Sequence, residues 1–291
     1  MTPAAIDGIS IVIPAYNEER GLRQTVEALI DVMKPSGMAF EIIVIDDGSK
    51  DGTAEVGKSI PEILFLQNRV NLGYGATLKR GIRAAAHEVI AITDADGTYP
   101  NERIPELAKL LTDEVDMVVG WRKGSNVKIP LTRRPVKWVI KRFAESLAGY
   151  AIPDINSGLR VFRKKTVSDN ENVLPAGFSF TATITLLIAS GGGNIVYEPI
   201  DYHTRTGTSK FHPIKDTWGM ISLIVRSVLL FDPLRVFVPV ALACFMAAVG
   251  IFIASLLLLP GMWDATIIIF LTTGFHFLGM GLLADLINRR R

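Results

Sequence analysis

Cysteine is almost missing from this chain: Cys244 is the single one in 291 residues. That excludes a disulfide framework and a thiolate metal cluster, and it fits a reducing, cytosol-facing compartment. An excess of charge of one sign is missing too. Lys and Arg number 31 against 29 Asp and Glu, a net +2, far from the basic excess of a nucleic-acid-binding domain. Met1 to Gly8 lacks the basic start and apolar stretch of a signal peptide. No repeat of roughly 20 to 50 residues recurs and no low-complexity tract occurs, which leaves out solenoids and disordered tails. There is no Gly-x-Ser-x-Gly elbow, and His87, His203, His212 and His276 form no recognisable catalytic or metal pair. Each reads as a surface or packing residue, His203 least securely because it lies beside a basic motif.

What is abundant is apolar weight, 49% of residues, and it gathers in the last quarter of the chain. From Val236 to Leu259 no charge occurs. A helix of that length, at about 1.5 Å per residue, crosses a hydrocarbon core of about 30 Å. Pro260-Gly261-Met262-Trp263-Asp264 breaks the run, and a second apolar stretch follows from Ala265 to about residue 285. So short a link predicts an antiparallel hairpin. Arg226 and Arg235 precede the first span, Arg289, Arg290 and Arg291 follow the second, and the link has no Lys or Arg, so both ends are expected in the cytoplasm. The alternative is a buried helical hairpin of a soluble domain. Ahead of the spans, 213–233 has the mixed character of an amphipathic region lying on the membrane face, or of a helix packed on the catalytic part. Gly250, Gly274, Gly279 and Gly281 are candidates for packing spans against further copies, a possible homo-oligomer.

The first 212 residues alternate β-rich apolar runs with helical patterning. Runs at Ile9 to Ile13, Ile42 to Ile45, Ile63 to Leu66, Val89 to Thr93 and Met117 to Val119 predict an α/β domain with a mostly parallel sheet. Asn17 is the expected N-cap of the first helix, with Glu18 and Glu19 in its first turn, and Pro35 and Gly37 end it. Ligands of such sheets bind beyond the carboxyl ends of the strands, so the residues there are the site candidates. Pro14-Ala15-Tyr16-Asn17-Glu18-Glu19 follows the first run and Asp46-Asp47-Gly48-Ser49 the second. Asp46 or Asp47 suits hydrogen bonds from a base or ribose, Tyr16 offers a ring face, and Gly48 lets the backbone approach a ligand. Asp94 and Asp96, with Ala95 between them, repel each other unless a cation sits near, and a hard ion such as Mg²⁺ or Mn²⁺ is held by carboxylates and completed by phosphates. The glycines of Asn71-Leu72-Gly73-Tyr74-Gly75 open a helix carrying Lys79, an arrangement that brings backbone N–H groups toward a phosphate.

In order, the segments IPAYNEE, DDGSKDGT, NLGYGAT, DADGTYP, GWR, NSGLRVF and RTGTSKF resemble the family-2 glycosyltransferases, and more narrowly their polyprenyl-phosphate branch. The resemblance runs from about Ile9 to Phe211. It implies a GT-A fold followed by the membrane hairpin (1–212, 213–233 and 234–291), a divalent metal, a nucleotide-sugar donor, a polyprenyl phosphate acceptor and an inverting transfer at the cytosolic face of a membrane. It also implies roles for residues. Pro14, Tyr16, Asn17, Glu18, Asp46 or Asp47, Gly48, Gly73, Lys79, Asp94 and Ala95 fall on the donor side, with Asp94 and Asp96 at the metal. Arg122 falls near the sugar and diphosphate, and Arg205 joins Asp96 and Arg122 as catalytic. Arg133 or Arg134, Ser157, Arg160, Ser209 and Lys210 fall toward the acceptor phosphate. One departure stands out: relatives of the dolichol type follow their Asp-x-Asp with Leu-Gln, where this chain has Gly97-Thr98. That puts a Gln ligand in doubt, with Thr98 or water in its place. A processive polysaccharide synthase would carry Gln-x-x-Arg-Trp, which is absent, and a non-catalytic scaffold would have no use for both aspartates.

Overall fold

The computed structural model describes residues 7–123, 142, 145, 151–177, 179–202, 233–257 and 264–289. The chain divides into two compact units, Met1–Met220 and Ile221–Arg291.

The first unit is a seven-stranded sheet: β1 (Ile9–Ala15), β2 (Phe40–Asp46), β3 (Leu64–Gln67), β4 (Val89–Ile92), β5 (Met117–Lys123), β6 (Arg160–Arg163) and β7 (Ile195–Asp201). Their spatial order is β3-β2-β1-β4-β6-β5-β7. β1 to β4 run parallel, β6 lies antiparallel between β4 and β5, and β5 pairs in parallel with β7. Two reversals restore direction, so the C-terminal ends of β1, β2, β4 and β5 share one edge. The five expected strands are all present. β6 and β7 are additional to them, and β6 is what makes the sheet mixed.

Side chains alternate along each strand, and here both faces are buried, giving continuous Ile/Val runs. Ile11, Ile13, Ile42 and Val44 face one core, together with Leu22, Val26 and Leu29 of α1 (Leu22–Met33) and with Ile104 and Leu107 of α4 (Ile104–Lys109). Val12, Ile43, Ile45, Ile90 and Ile92 face the other, with Leu78 and Ile82 of α3 (Tyr74–Ala84), and Phe180, Ile184 and Ile188 of α6 (Phe180–Ser190). Two short helices, α2 (Thr53–Lys58) and α5 (Lys164–Ser168), complete the unit. The first helix starts later than expected. Asn17 is not its N-cap; α1 opens at Leu22 behind Gly21, so Glu18 and Glu19 lie outside it. Its end agrees with the reading, since Lys34–Ser36 tightens into a 3₁₀ turn containing Pro35 and Gly37 takes φ +70°.

The second unit is a pair of helices, α7 (Leu234–Leu257) and α8 (Asp264–Arg289). Phe245 stacks edge-on against Phe275 at 5.1 Å, and a Cβ at Gly274 would meet the Phe245 ring at 2.6 Å. A Cβ at Gly281 would likewise come 2.7 Å from Phe237. These two glycines therefore admit rings of the facing helix within the hairpin, whereas Gly250 and Gly279 face open space. Val236–Leu257 and Ala265–Ile287 are both long and apolar enough to cross a membrane, and only 11% of each apolar window is buried. A soluble core hairpin would bury most of it, so the pair points to a membrane anchor.

Candidate active site

The loop after β1 is stitched to the loop after β2. Asn17 sits at φ +53°, a left-handed conformation that asparagine tolerates better than most residues. Its N–H donates to Ser49 Oγ at 2.8 Å, and its Oδ1 accepts from the Lys50 N–H at 2.9 Å. The Glu18 N–H donates to Thr53 Oγ1 at 2.8 Å, and Glu19 Oε2 accepts from the Gly52 N–H at 3.1 Å. Pro14 and Tyr16 lie in this same stretch, half-buried.

Asp46 and Asp47, at the end of β2, are both buried. Asp46 accepts from the Ser49 N–H at 3.0 Å and from Gln67 Nε2 at 3.1 Å. Asp47 accepts from Asn68 Nδ2 at 2.8 Å and from the N–H groups of Leu72 and Gly73, each at 2.9 Å. Those two amides lie immediately before α3, where the helix dipole favours a negative charge. Asp47 is thus the anion at this helix start. The expected phosphate cradle is corrected accordingly. A Cβ at Gly73, which has φ +97°, would come 2.8 Å from the Ala176 carbonyl, and one at Gly75 would collide with the Pro175 carbonyl. The Ala76 N–H donates to the Ala176 carbonyl at 2.9 Å. Lys79, expected on the donor side, donates instead to the carbonyls of Leu174 and Glu171, at 2.9 and 3.3 Å. The glycines make room for the protein's own 175–177 segment.

Beyond β4, the Asp94-Ala95-Asp96 turn is anchored through its middle residue. Thr25 Oγ1 donates to the Ala95 carbonyl at 3.1 Å, and a Cβ at Gly21 would stand 2.8 Å from that oxygen. The two carboxylates are half-buried and held differently. Asp96 Oδ1 accepts from the Thr98 N–H at 3.2 Å and from Thr98 Oγ1 at 2.6 Å. Thr98 is fully buried, and its hydroxyl orients Asp96. Asp94 Oδ1 accepts from the Tyr74 hydroxyl at 3.3 Å, and its Oδ2 lies where a side chain at Gly158 would place a Cβ 3.0 Å away. Burial pushes the Tyr74 hydroxyl well above its ordinary value, and the Asp94 charge pushes it further, so the phenol keeps its proton.

At the end of β5, Arg122 grips Asp154 with both arms: Nε to Oδ2 at 2.7 Å and Nη2 to Oδ1 at 2.9 Å. Its guanidinium lies 5.3 Å from the Tyr202 ring centroid, and Tyr202 packs edge-on against Tyr99, also at 5.3 Å. Burial alone would raise the Asp154 carboxyl, but the Arg122 hydrogen bonds and charge outweigh it, helped by the Asn156 N–H, and hold it below the usual carboxylate range. The Tyr99 hydroxyl accepts from the Gly158 N–H at 2.6 Å, closing this cluster onto Asp94.

Ser157 and Arg160, expected at an acceptor phosphate, are both fully buried. Ser157 Oγ donates to the Gly120 carbonyl at 2.5 Å. Arg160 donates to the carbonyls of Ser157 and Ile155, each at 2.7 Å, and to Thr185 Oγ1 at 2.6 Å. It is a strut that fixes the 155–158 loop, and burial lowers its pKa. Arg133, Arg134, His203, Arg205, Ser209, Lys210 and His212 lie outside the described residues.

Sequence reasoning missed Asp154, Tyr99 and Tyr202, which meet Arg122 and Asp94 only through the fold. Asp154 had the best signal, a charged residue three positions before Ser157. Among the described residues no three His, Cys, Asp or Glu side chains converge on one point. A divalent ion held by Asp94 and Asp96 would be completed by water and substrate phosphates, which is the usual manner for Mg²⁺ and fits this donor set.

The family model described as glycosyl transferase family 2 matches residues 10–170. Among curated proteins, the chain is similar to the undecaprenyl-phosphate 4-deoxy-4-formamido-L-arabinose transferase of Pseudomonas savastanoi pv. phaseolicola: 29% identical, covering 99% of this chain and 88% of that protein. It is 30% identical to the dolichyl-phosphate hexose transferase of Haloferax volcanii, over 73% of this chain and 90% of that one. Among solved structures, glucosyl-3-phosphoglycerate synthase from Mycobacterium tuberculosis, in complex with Mn²⁺, UDP and glucosyl-3-phosphoglycerate, shares the fold. Its TM-score is 0.57 at 19% identity, covering 76% of this chain and 79% of that chain.

Proposed function

Because the chain belongs to glycosyltransferase family 2, we propose that it transfers a hexose from a UDP- or GDP-linked donor to a polyprenyl phosphate, undecaprenyl or dolichyl, with inversion at the sugar. The observation that carries this reading is the presence, in one chain, of an Asp-x-Asp turn, of an Arg122 fixed by Asp154 and of two largely unburied apolar helices. Similarity to lipid-phosphate sugar transferases over 99% of the chain supports it, hairpin included. The hairpin spans the membrane, with the catalytic unit and both termini on the cytoplasmic side.

The chemistry follows from charge. A lipid phosphomonoester has a second pKa near 6, so at neutral pH it is already mostly a dianion and needs little help from a general base. Its oxygen attacks the anomeric carbon while the bond to the nucleoside diphosphate breaks from the opposite face. Mg²⁺ or Mn²⁺, bound by Asp94 and Asp96, would supply positive charge to the departing diphosphate. Arg122, held in a fixed direction by Asp154, adds a permanent cation on the same side. Pro14, Tyr16, Asn17, Glu18, Asp46 and Gly48 line the donor side. Arg205, Lys210, Ser209 and Arg133 or Arg134 draw in the acceptor phosphate. Confining enzyme and lipid to one surface replaces a bulk search by a local one.

The test is a panel of UDP-sugars and GDP-mannose, incubated with the full-length protein, undecaprenyl phosphate and Mn²⁺, with lipid-linked sugar as the readout. One donor is expected to give product. Absence of product with every donor, and with dolichyl phosphate as well, sinks the reading.

A further inference from the structure

Tyr74 has no part in the reaction as drawn above, yet it is partly buried at the first position of α3 and directs its hydroxyl to Asp94. Its place is prepared by the other aspartate pair. Asp47 holds the amides of Leu72 and Gly73, which sets the start of α3, and α3 then carries the Tyr74 ring across to Asp94. We propose that Tyr74 is a positioning residue for Asp94: its hydroxyl donates to Oδ1 and fixes the rotation of the carboxylate. A carboxylate whose rotation is set by the protein is oriented before any ligand arrives, which lowers the cost of binding.

This rests on the reading of Asp94 and Asp96 as the metal carboxylates, and the experiment separates the two claims. Mn²⁺ binding in the presence of UDP is measured by calorimetry on full-length wild type, Tyr74→Phe, Asp94→Asn and the double variant. Tyr74→Phe removes the hydroxyl and keeps the ring. Its Mn²⁺ affinity is expected to fall about tenfold, the effect typical of losing an outer-shell partner. KM for the donor rises and KM for the lipid does not. In the Asp94→Asn background the same change is expected to alter affinity less than about twofold, because a residue acting through Asp94 has nothing further to lose. Wild-type affinity in Tyr74→Phe, or a full additive loss in the double variant, overturns the proposal. So does a Tyr74→Phe protein that fails to fold, which assigns the hydroxyl to stability alone. Wild type that binds no Mn²⁺ with UDP overturns the metal assignment itself.

Discussion

Two aspartate pairs stand at the ends of β2 and β4, on either side of β1, and they are used in opposite ways. Asp46 and Asp47 are buried, and their oxygens accept from Ser49, Gln67, Asn68, Leu72 and Gly73. Asp94 and Asp96 are half-buried, each held by a hydroxyl from the protein. In sequence the pairs look alike, acidic turns closing a β-rich run. The difference lies in what surrounds them: the first pair is buried among backbone N–H groups and the amides of Gln67 and Asn68, and the second is half-buried and takes the hydroxyls of Tyr74 and Thr98. On the proposed reading, the same carboxyl chemistry serves loop structure at Asp47 and ligand binding at Asp94 and Asp96.

The sharpest way to break this contrast is to remove one member of each pair. Asp96→Ala is expected to cut turnover by about a thousandfold or more, roughly 4 kcal/mol of barrier, while the thermal unfolding midpoint stays near wild type. Steady-state rates and calorimetry on the same preparation check both halves. Asp47→Ala should do the reverse in kind: one buried donor, Asn68, and two part-buried amides lose their acceptor, so stability falls by about 2 to 4 kcal/mol, seen as an earlier urea midpoint. If Asp47→Ala kept full stability and lost only donor binding, the division between the pairs would collapse.

How much of this could be read in advance follows from where the partners sit in the chain. The five β-rich runs announced themselves because strands buried on both faces need unbroken Ile and Val, as in Ile9–Ala15 and Phe40–Asp46. β6 escaped because it is four residues bracketed by Arg160 and Arg163. β7 escaped because it is a half-exposed edge strand containing Pro199, which only an edge tolerates. The Asp-x-Asp turn and Arg122 were legible as types of residue at strand ends. Their partners were not, since Tyr74 to Asp94 and Arg122 to Asp154 are contacts made by folding. Gly73, Gly75 and Lys79 misled for a related reason. A glycine that admits a phosphate and one that admits a neighbouring carbonyl look the same until the neighbour is placed.

Asp154 extends the comparison to a third carboxylate, held inside like Asp47 but by an arginine. Its folded pKa lies below the unfolded value, so the stability it contributes is present above about pH 4 and is lost as pH falls through the folded value. Asp154→Asn should flatten that acid limb, at a cost near neutrality of roughly 1 to 3 kcal/mol. Stability measured by denaturant titration from pH 7 down to pH 3 checks it. An acid limb unchanged in the variant would mean that the ion pair with Arg122 contributes nothing.

The smallest expected effect bears on how the start of α3 is used. Lys79 was read as a donor-side cation, yet its ammonium is bound by the Leu174 and Glu171 carbonyls, close to where Arg83 pairs with Glu171. A lysine that met the donor diphosphate would lose transition-state stabilisation on truncation, raising KM for the nucleotide-sugar many-fold. A lysine that ties 171–174 to the helix loses only hydrogen bonds to neutral carbonyls at a half-buried position, about 1 kcal/mol of stability. Lys79→Gln is therefore expected to leave KM for the donor within about twofold and to lower the unfolding midpoint by a few degrees. Donor-titration kinetics decide between the two, because a tenfold rise in KM at unchanged stability would return the helix start to the substrate.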